Sequence, residues 1–277
     1  RSKESESVRE RNKFWVNDGK FDLLLDKPLT LVWLSVYKNI FSGVGVVQDH
    51  APIQHPSYYK RFPINVLKNY RQCHSITLGN WWGGEDMLKE MELTEGKMPY
   101  IIHLGEGLDA ETRAEFSILE KSDLLRENTL IIHGISLSDK EIEKCAETGT
   151  SINWCPSSNY FLIGKTINID KCIESGVNIV LGTDSTLTGS VNLFAEMRFI
   201  VENFPHISCK QIYKMVSANA EKALYLDKGS STLHDNEENI LILRRKESDE
   251  FKNLVMADMD DIELFIFRSI PLFGNYS

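Results

Sequence analysis

Three short apolar runs each end on a side chain that can bind a metal ion or carry a proton. Tyr100-Ile-Ile-His103 stops on a histidine, and Glu106 follows three residues later where the chain must turn. Thr129-Leu-Ile-Ile-His133 stops on a second histidine, and Val177-Asn-Ile-Val-Leu-Gly-Thr-Asp184 on an aspartate. Imidazole and carboxylate together suit a borderline divalent ion such as zinc or iron. The His103-x-x-Glu106 spacing sets the imidazole at a strand end and the carboxylate on the loop above it. There Glu106 could pass protons between a metal-activated water and a substrate. Each residue alone is also what a hydrogen-bonded core position looks like; the set of three is harder to read that way.

The elements around these residues alternate. Helical spacing of apolar residues covers 31–42, 110–126, 192–203 and 210–226. Ser138-Asp-Lys-Glu141 has the form of a capping box, and that helix is expected to stop at Gly149, a left-handed residue past its end. A short helix before Gly176 likewise gives way at once to a strand. Strands are expected near 43–50, 64–70, 74–78, 99–103, 129–133, 150–154 and 177–182, while Cys155-Pro-Ser-Ser-Asn159 reads as turn chemistry. Repeating βα units that deliver polar groups at strand C-termini predict an α/β fold of the (β/α)8 TIM-barrel type. Seven strands precede residue 185 where a complete barrel needs eight, so the first strand is expected to lie upstream of Arg1 or to have been removed. The chain also starts without Met. Residues 1–226 are read as the barrel and 227–277, with β-type runs near 238–244 and 262–267, as part of a small β-sandwich-like appendage.

A net charge of −9 and few clustered basic residues argue against a nucleic-acid binder. Five cysteines without short spacing read as reduced thiols in a cytoplasmic protein rather than as a disulfide framework or zinc knuckle. No apolar run reaches the roughly 20 residues needed to cross a bilayer. The partner expected is a small-molecule substrate, and homo-oligomerisation is left open. His50 ends a strand on the presumed active rim and is a candidate for substrate contact; Trp154, Ser157, Asn159 and Ser185 could line the pocket.

His103-Leu-Gly-Glu106, His133-Gly, Trp154-Cys-Pro-Ser-Ser-Asn159 and Leu181-Gly-Thr-Asp184-Ser, in that order, resemble the amidohydrolase superfamily, in its cytosine deaminase and chlorohydrolase-like branch. The resemblance covers about residues 35–225, including Phe194-Ala-Glu-Met-Arg198 and Ser217-Ala-Asn-Ala220. It implies a hydrolase with one divalent metal, zinc or iron, that attacks a C–N bond of a small heterocycle through a metal-activated hydroxide, as a deaminase does. By this resemblance His103 and Asp184 ligate the metal, Glu106 shuttles the proton, His133 sits beside the activated water and Asp184 is also the base. Binuclear relatives use a lysine on the fourth strand; Ser75-Ile-Thr-Leu-Gly-Asn has none, which favours one metal. The chain departs from the pattern in lacking an HxH pair, so two imidazoles of the site are not accounted for. Alternatives are loss of another leaving group (chloride, an amide or a phosphoester) at the same site, or a non-catalytic degenerate barrel.

Overall fold

The computed structural model describes residues 30–49, 59–77, 86–226 and 239–275. Helix α1 (Thr30–Ile40) leads into a two-residue strand β1 (Val46–Val47), which pairs in parallel with β2 (Asn65–Val66). From there strand and helix alternate: β3 (Arg71–Ser75), α2 (Met87–Leu93), β4 (Tyr100–Leu104), α3 (Ala110–Lys121), β5 (Thr129–His133), α4 (Asp139–Thr148) and β6 (Ser151–Trp154). Two helices, α5 (Pro156–Ile163) and α6 (Ile169–Ser175), then separate β6 from β7 (Ile179–Leu181), and α7 (Leu193–Asn203), α8 (Cys209–Met215) and α9 (Ala218–Ala223) follow. The last part holds β8 (Ile240–Leu243), α10 (Glu250–Val255), β9 (Ile262–Phe267) and β10 (Ile270–Gly274).

Strands β3-β4-β5-β6-β7 form one parallel sheet in chain order, each paired with the next, and the register of β3 against β4 shifts once, between Cys73 and Ser75. Every residue of β4 and β5 is buried, because both faces are covered. On one face Tyr100, Ile102, Ile131, Ile152, Trp154 and Ile179 pack against Leu119, Ile142, Cys172 and Ile200 of the helices. On the other, Ile101, Leu130, Ile132 and Val180 form a smaller cluster with Cys155 and Ala223. The expected alternation is therefore present as an open five-stranded parallel sheet; among the described residues it does not close into an eight-stranded barrel. Ile131, fully buried at the centre of this sheet, sets a stability test. Ile131→Ala is expected to cost about 2–5 kcal/mol, read as a lower urea midpoint at unchanged slope.

Local signals explain most boundaries. Glu141 accepts hydrogen bonds from the backbone N–H and the hydroxyl of Ser138, so the expected cap at the start of α4 forms. Gly149 and Gly176 close α4 and α6 in left-handed conformations, as their positions predicted. Three expectations change. The stretch read as a turn at 155–159 opens α5, with Pro156 at the first helical position, where its missing N–H costs nothing. The helix expected over 210–226 breaks into α8 and α9 at Val216 and Ser217. Over residues 239–275, α10 and β10 are present as well as the two expected strands, and the sheet is antiparallel in the order β10-β9-β8. That sheet packs back on the turn after α1: Phe41 meets Phe273 edge-on, and Leu241 and Phe267 fill the space above Gly43 and Gly45. All five cysteines are free thiols. Among the described residues no helix is long and apolar enough to cross a membrane.

Candidate catalytic and metal site

The C-terminal ends of β4, β5 and β7 converge. One donor atom each from Glu106, His133 and Asp184 lie within 4.8 Å of one another. His103 sits beside them, its ring centroid 5.7 Å from that of His133 and 4.7 Å from that of His74. His133 and Asp184 both hold left-handed backbone conformations, with φ of 72° and 54°. Non-glycine residues seldom occupy that region unless surrounding bonds hold them there, and such residues concentrate at functional sites.

Those bonds can be traced. His103 Nδ1 lies 2.9 Å from the His74 carbonyl. A carbonyl oxygen only accepts, so Nδ1 carries the hydrogen and the lone pair stays on Nε2. His133 Nδ1 faces Asn159 Oδ1 at 2.8 Å, and Asn159 Nδ2 donates to Thr166 Oγ1, which also accepts from the Trp154 indole N–H. His133 too is thereby left with its Nε2 lone pair towards the site. Imidazoles that ligate metals are oriented in this way, with the other ring nitrogen bound to a protein oxygen. Among the described residues, the side chains whose donor atoms come within mutual reach are His133, Glu106 and Asp184, one imidazole with two carboxylates, a mix that suits a borderline divalent ion; His103 stands beside this group and not within it.

Glu106 and His133 form a pair, Oε1 lying 3.2 Å from Nε2. Two lone pairs at that distance would repel, so the pair holds a proton between them. Burial pushes the Glu106 carboxyl from 4.5 up to about 7; the neighbouring His133 opposes the rise, and Asp184 and Glu115 add to it. Asp184 accepts hydrogen bonds from the hydroxyls of Ser158 and Thr188.

Two buried carboxylates brace the loops without joining the cluster. Glu115 on α3 accepts from Gly105 N–H at 2.8 Å, Thr77 Oγ1 at 2.6 Å and Ser75 Oγ at 3.3 Å. It ties the turn between His103 and Glu106 to the end of β3. Burial raises its pKa, and the hydrogen bonds from Thr77, Gly105 and Ser75 oppose the rise. Glu196 on α7 accepts from the backbone and hydroxyl of Ser157, and Ser157 Oγ in turn receives Ser190 N–H at 3.1 Å. The first turn of α5 thus fans three polar side chains about 100° apart: Ser157 to Glu196, Ser158 to Asp184, Asn159 to His133.

Of the residues proposed to touch substrate, Asn159 orients His133 and Ser157 joins Glu196. Trp154 is fully buried, edge-on to Phe204. Ser185 is exposed, and its hydroxyl accepts from Leu187 N–H. His50 lies outside the described residues. Sequence reasoning missed Ser158, Thr166, Thr188, Glu115 and Glu196. A helix reading of 156–163 would have exposed the fan at its start; nothing local marks the two glutamates.

Residues 85–233 match the Amidohydrolase family. The chain is 33% identical over 125 residues to the 5-methylthioadenosine/S-adenosylhomocysteine deaminase of Pyrococcus abyssi, covering 42% of this chain and 29% of that protein. It is 23% identical over 242 residues to the guanine deaminase of Mus musculus, covering 83% of this chain and 52% of that one. The chain therefore spans between about a quarter and a half of the length of these relatives. Among solved structures it resembles an adenosine deaminase from Xanthomonas campestris with bound zinc, at a TM-score of 0.77 and 14% identity over 98% of this chain and 76% of the other. A zinc complex of an atrazine chlorohydrolase from Arthrobacter aurescens gives a TM-score of 0.58 at 16% identity, over 68% of this chain and 47% of that one. At these identities the likeness speaks for the fold. The family match spans the strands that deliver His103, Glu106, His133 and Asp184, and so the chain belongs to the amidohydrolase family.

Proposed function

We propose that this chain carries the core of a metal-dependent hydrolase that removes an amino group from a small nitrogen heterocycle. The observation that carries the reading is the convergence of Glu106, His133 and Asp184, with the His103 and His133 rings each oriented through Nδ1 by a protein oxygen. The names of the relatives, deaminases of adenosine-type and guanine substrates, support the substrate class. The five parallel strands are read as part of a (β/α)8 barrel, with the antiparallel sheet at 240–274 as its appendage. The free thiols suit a reducing compartment, the cytoplasm.

His103 and Asp184 would hold one ion, zinc or iron. When bound, such an ion supplies Lewis-acid charge and makes a water acidic enough to react near pH 7. The chain's own groups manage the protons. Asp184, fixed by Ser158 and Thr188, is an acceptor for a proton released by the attacking water. Glu106, poised near pH 7, takes a proton and delivers it to the departing nitrogen, which leaves as ammonia. His133 shares the Glu106 proton and aligns its carboxyl.

Metal content tests the first half of this reading. The chain is expected to bind about one divalent ion, lost in His103→Ala and in Asp184→Ala but kept in Glu106→Gln. Ammonia release from adenosine, 5-methylthioadenosine and guanine tests the second. An ion-loaded chain that binds these compounds and releases no ammonia from any of them would sink the deaminase reading.

A further inference from the structure

Asn153 is the one polar side chain in its row of the sheet that the site described above leaves without a task. In register, His103 of β4 pairs with Ile132, Ile132 with Asn153 and Asn153 with Val180. These four residues therefore lie side by side across the sheet, and Ile132 and Val180 belong to the cluster on the face away from the helix-packed core. At the spacing of parallel strands, Asn153 stands about 10 Å from His103 along that row. Its carboxamide is also seated against Gly182, two residues before Asp184. A Cβ at Gly182 would come within 2.5 Å of Asn153 Oδ1, 2.8 Å of its Nδ2 and 3.0 Å of Cys155 Sγ. The absence of a side chain at Gly182 is what gives the carboxamide room beside the strand that delivers Asp184.

In that place the carboxamide makes no hydrogen bond among the described residues, and its oxygen is buried without a partner. A buried amide left unmatched costs free energy, and most buried polar side chains in folded proteins have partners. Ser151, two residues earlier on β6, by contrast receives Asn178 Nδ2, and Asn178 also reaches the Asn219 carbonyl. Tyr100 Oη on β4 is also buried without a hydrogen-bond partner, but Tyr100 belongs to the helix-packed core, whereas Asn153 lies one strand from β7 and in the same row as His103.

We propose that Asn153 reads the substrate, its carboxamide pairing with an edge of the heterocycle that presents a hydrogen-bond donor beside an acceptor. A primary amide offers one acceptor and two donors in one plane, the arrangement that pairs side by side with an aminopurine edge. The substrate class this selects is an amino-substituted nitrogen heterocycle, oriented with its reacting carbon towards Glu106 and Asp184. The inference rests on the deaminase reading for the chemistry, but the recognition it describes is a binding event that can be measured without turnover.

The test is equilibrium binding by calorimetry, with adenosine and guanine as amino-bearing probes and purine riboside as a probe that keeps the ring and lacks the amine. Asn153→Ala is expected to weaken the better amino-bearing probe by on the order of 10- to 100-fold and purine riboside by clearly less. Its melting temperature is expected to stay the same or rise, since an unmatched amide is removed. Asn153→Leu keeps the volume and carries the same comparison should the alanine variant fold poorly. An equal loss on both kinds of probe, no loss on either, a lowered melting temperature in both variants, or a parent that binds neither would overturn the assignment. The two readings fail separately. Binding that depends on Asn153 without ammonia release defeats the deaminase reading alone, and ammonia release indifferent to Asn153→Ala defeats this one alone.

Discussion

Glu106→Gln is expected to lower ammonia release by about 100- to 10,000-fold while making the metal-free protein more stable at pH 8. The two effects have one cause. Burial lifts the Glu106 carboxyl from 4.5 to about 7 in the folded chain, so the folded state holds a proton that the unfolded chain releases near pH 4.5. Between those values the native state binds more protons than the unfolded one, and stability falls as pH rises from 4.5 towards 7, then levels. At about 1.4 kcal/mol per pH unit, the penalty at pH 8 is on the order of 3 kcal/mol. Glutamine has the same shape and no charge to bury. In chelator-treated protein, the variant should match the parent near pH 4 and exceed it at pH 8, as thermal unfolding at the two values would show. Equal stability at both would mean that Glu106 is solvated in the folded chain and has no raised proton affinity to use. A group whose charge is costly to the fold and useful to the chemistry is what a proton carrier requires.

The strands that deliver the site were legible because their pattern is local. Tyr100–His103 and Thr129–His133 are unbroken apolar runs that end on a polar group, and only a strand buried on both faces needs such a run. Helix α4 was legible because Ser138, Glu141 and Gly149 mark its two ends. What was not legible depends on contacts between distant residues. Glu115 and Glu196 each look like a solvated helical glutamate; they are structural because Gly105 and Ser157, 10 and 39 residues away, aim backbone N–H groups at them. Pro156-Ser-Ser-Asn159 satisfies turn and helix-start statistics equally well, and only packing against α7 selects the helix. Ring orientation at His103 is likewise set by the backbone carbonyl of His74, 29 residues earlier, which no spacing rule can announce.

Gly189→Ala is expected to reduce turnover on the order of 100-fold and to lower ion content with it. The residue lies in the loop after β7, where its N–H donates to the Ser185 carbonyl at 2.7 Å. A Cβ there would come within 2.0 Å of the Thr183 carbonyl oxygen and 3.1 Å of its carbon. Those are backbone atoms of the residue before Asp184, and they cannot rotate away as a side chain would. Relief must come from opening the loop over 183–190. That loop carries the left-handed backbone of Asp184, the Thr188 hydroxyl bonded to its carboxylate, and Ser190, which docks on Ser157. Shifting it by about 1 Å would part Asp184 from Ser158, and a misplacement of that size typically costs a factor of about 100. The steric strain itself should cost about 1–3 kcal/mol. Gly96→Ala is the control: it too has a left-handed φ, but no atom stands within 4 Å of the added carbon. It should lose on the order of 1 kcal/mol through backbone strain alone and keep its ion and its turnover. Melting temperature and metal content measured on both variants separate the cases. If Gly189→Ala keeps its ion, the loop is not what holds Asp184 in place, and the serine and threonine hydroxyls on α5 and the loop are incidental to the site.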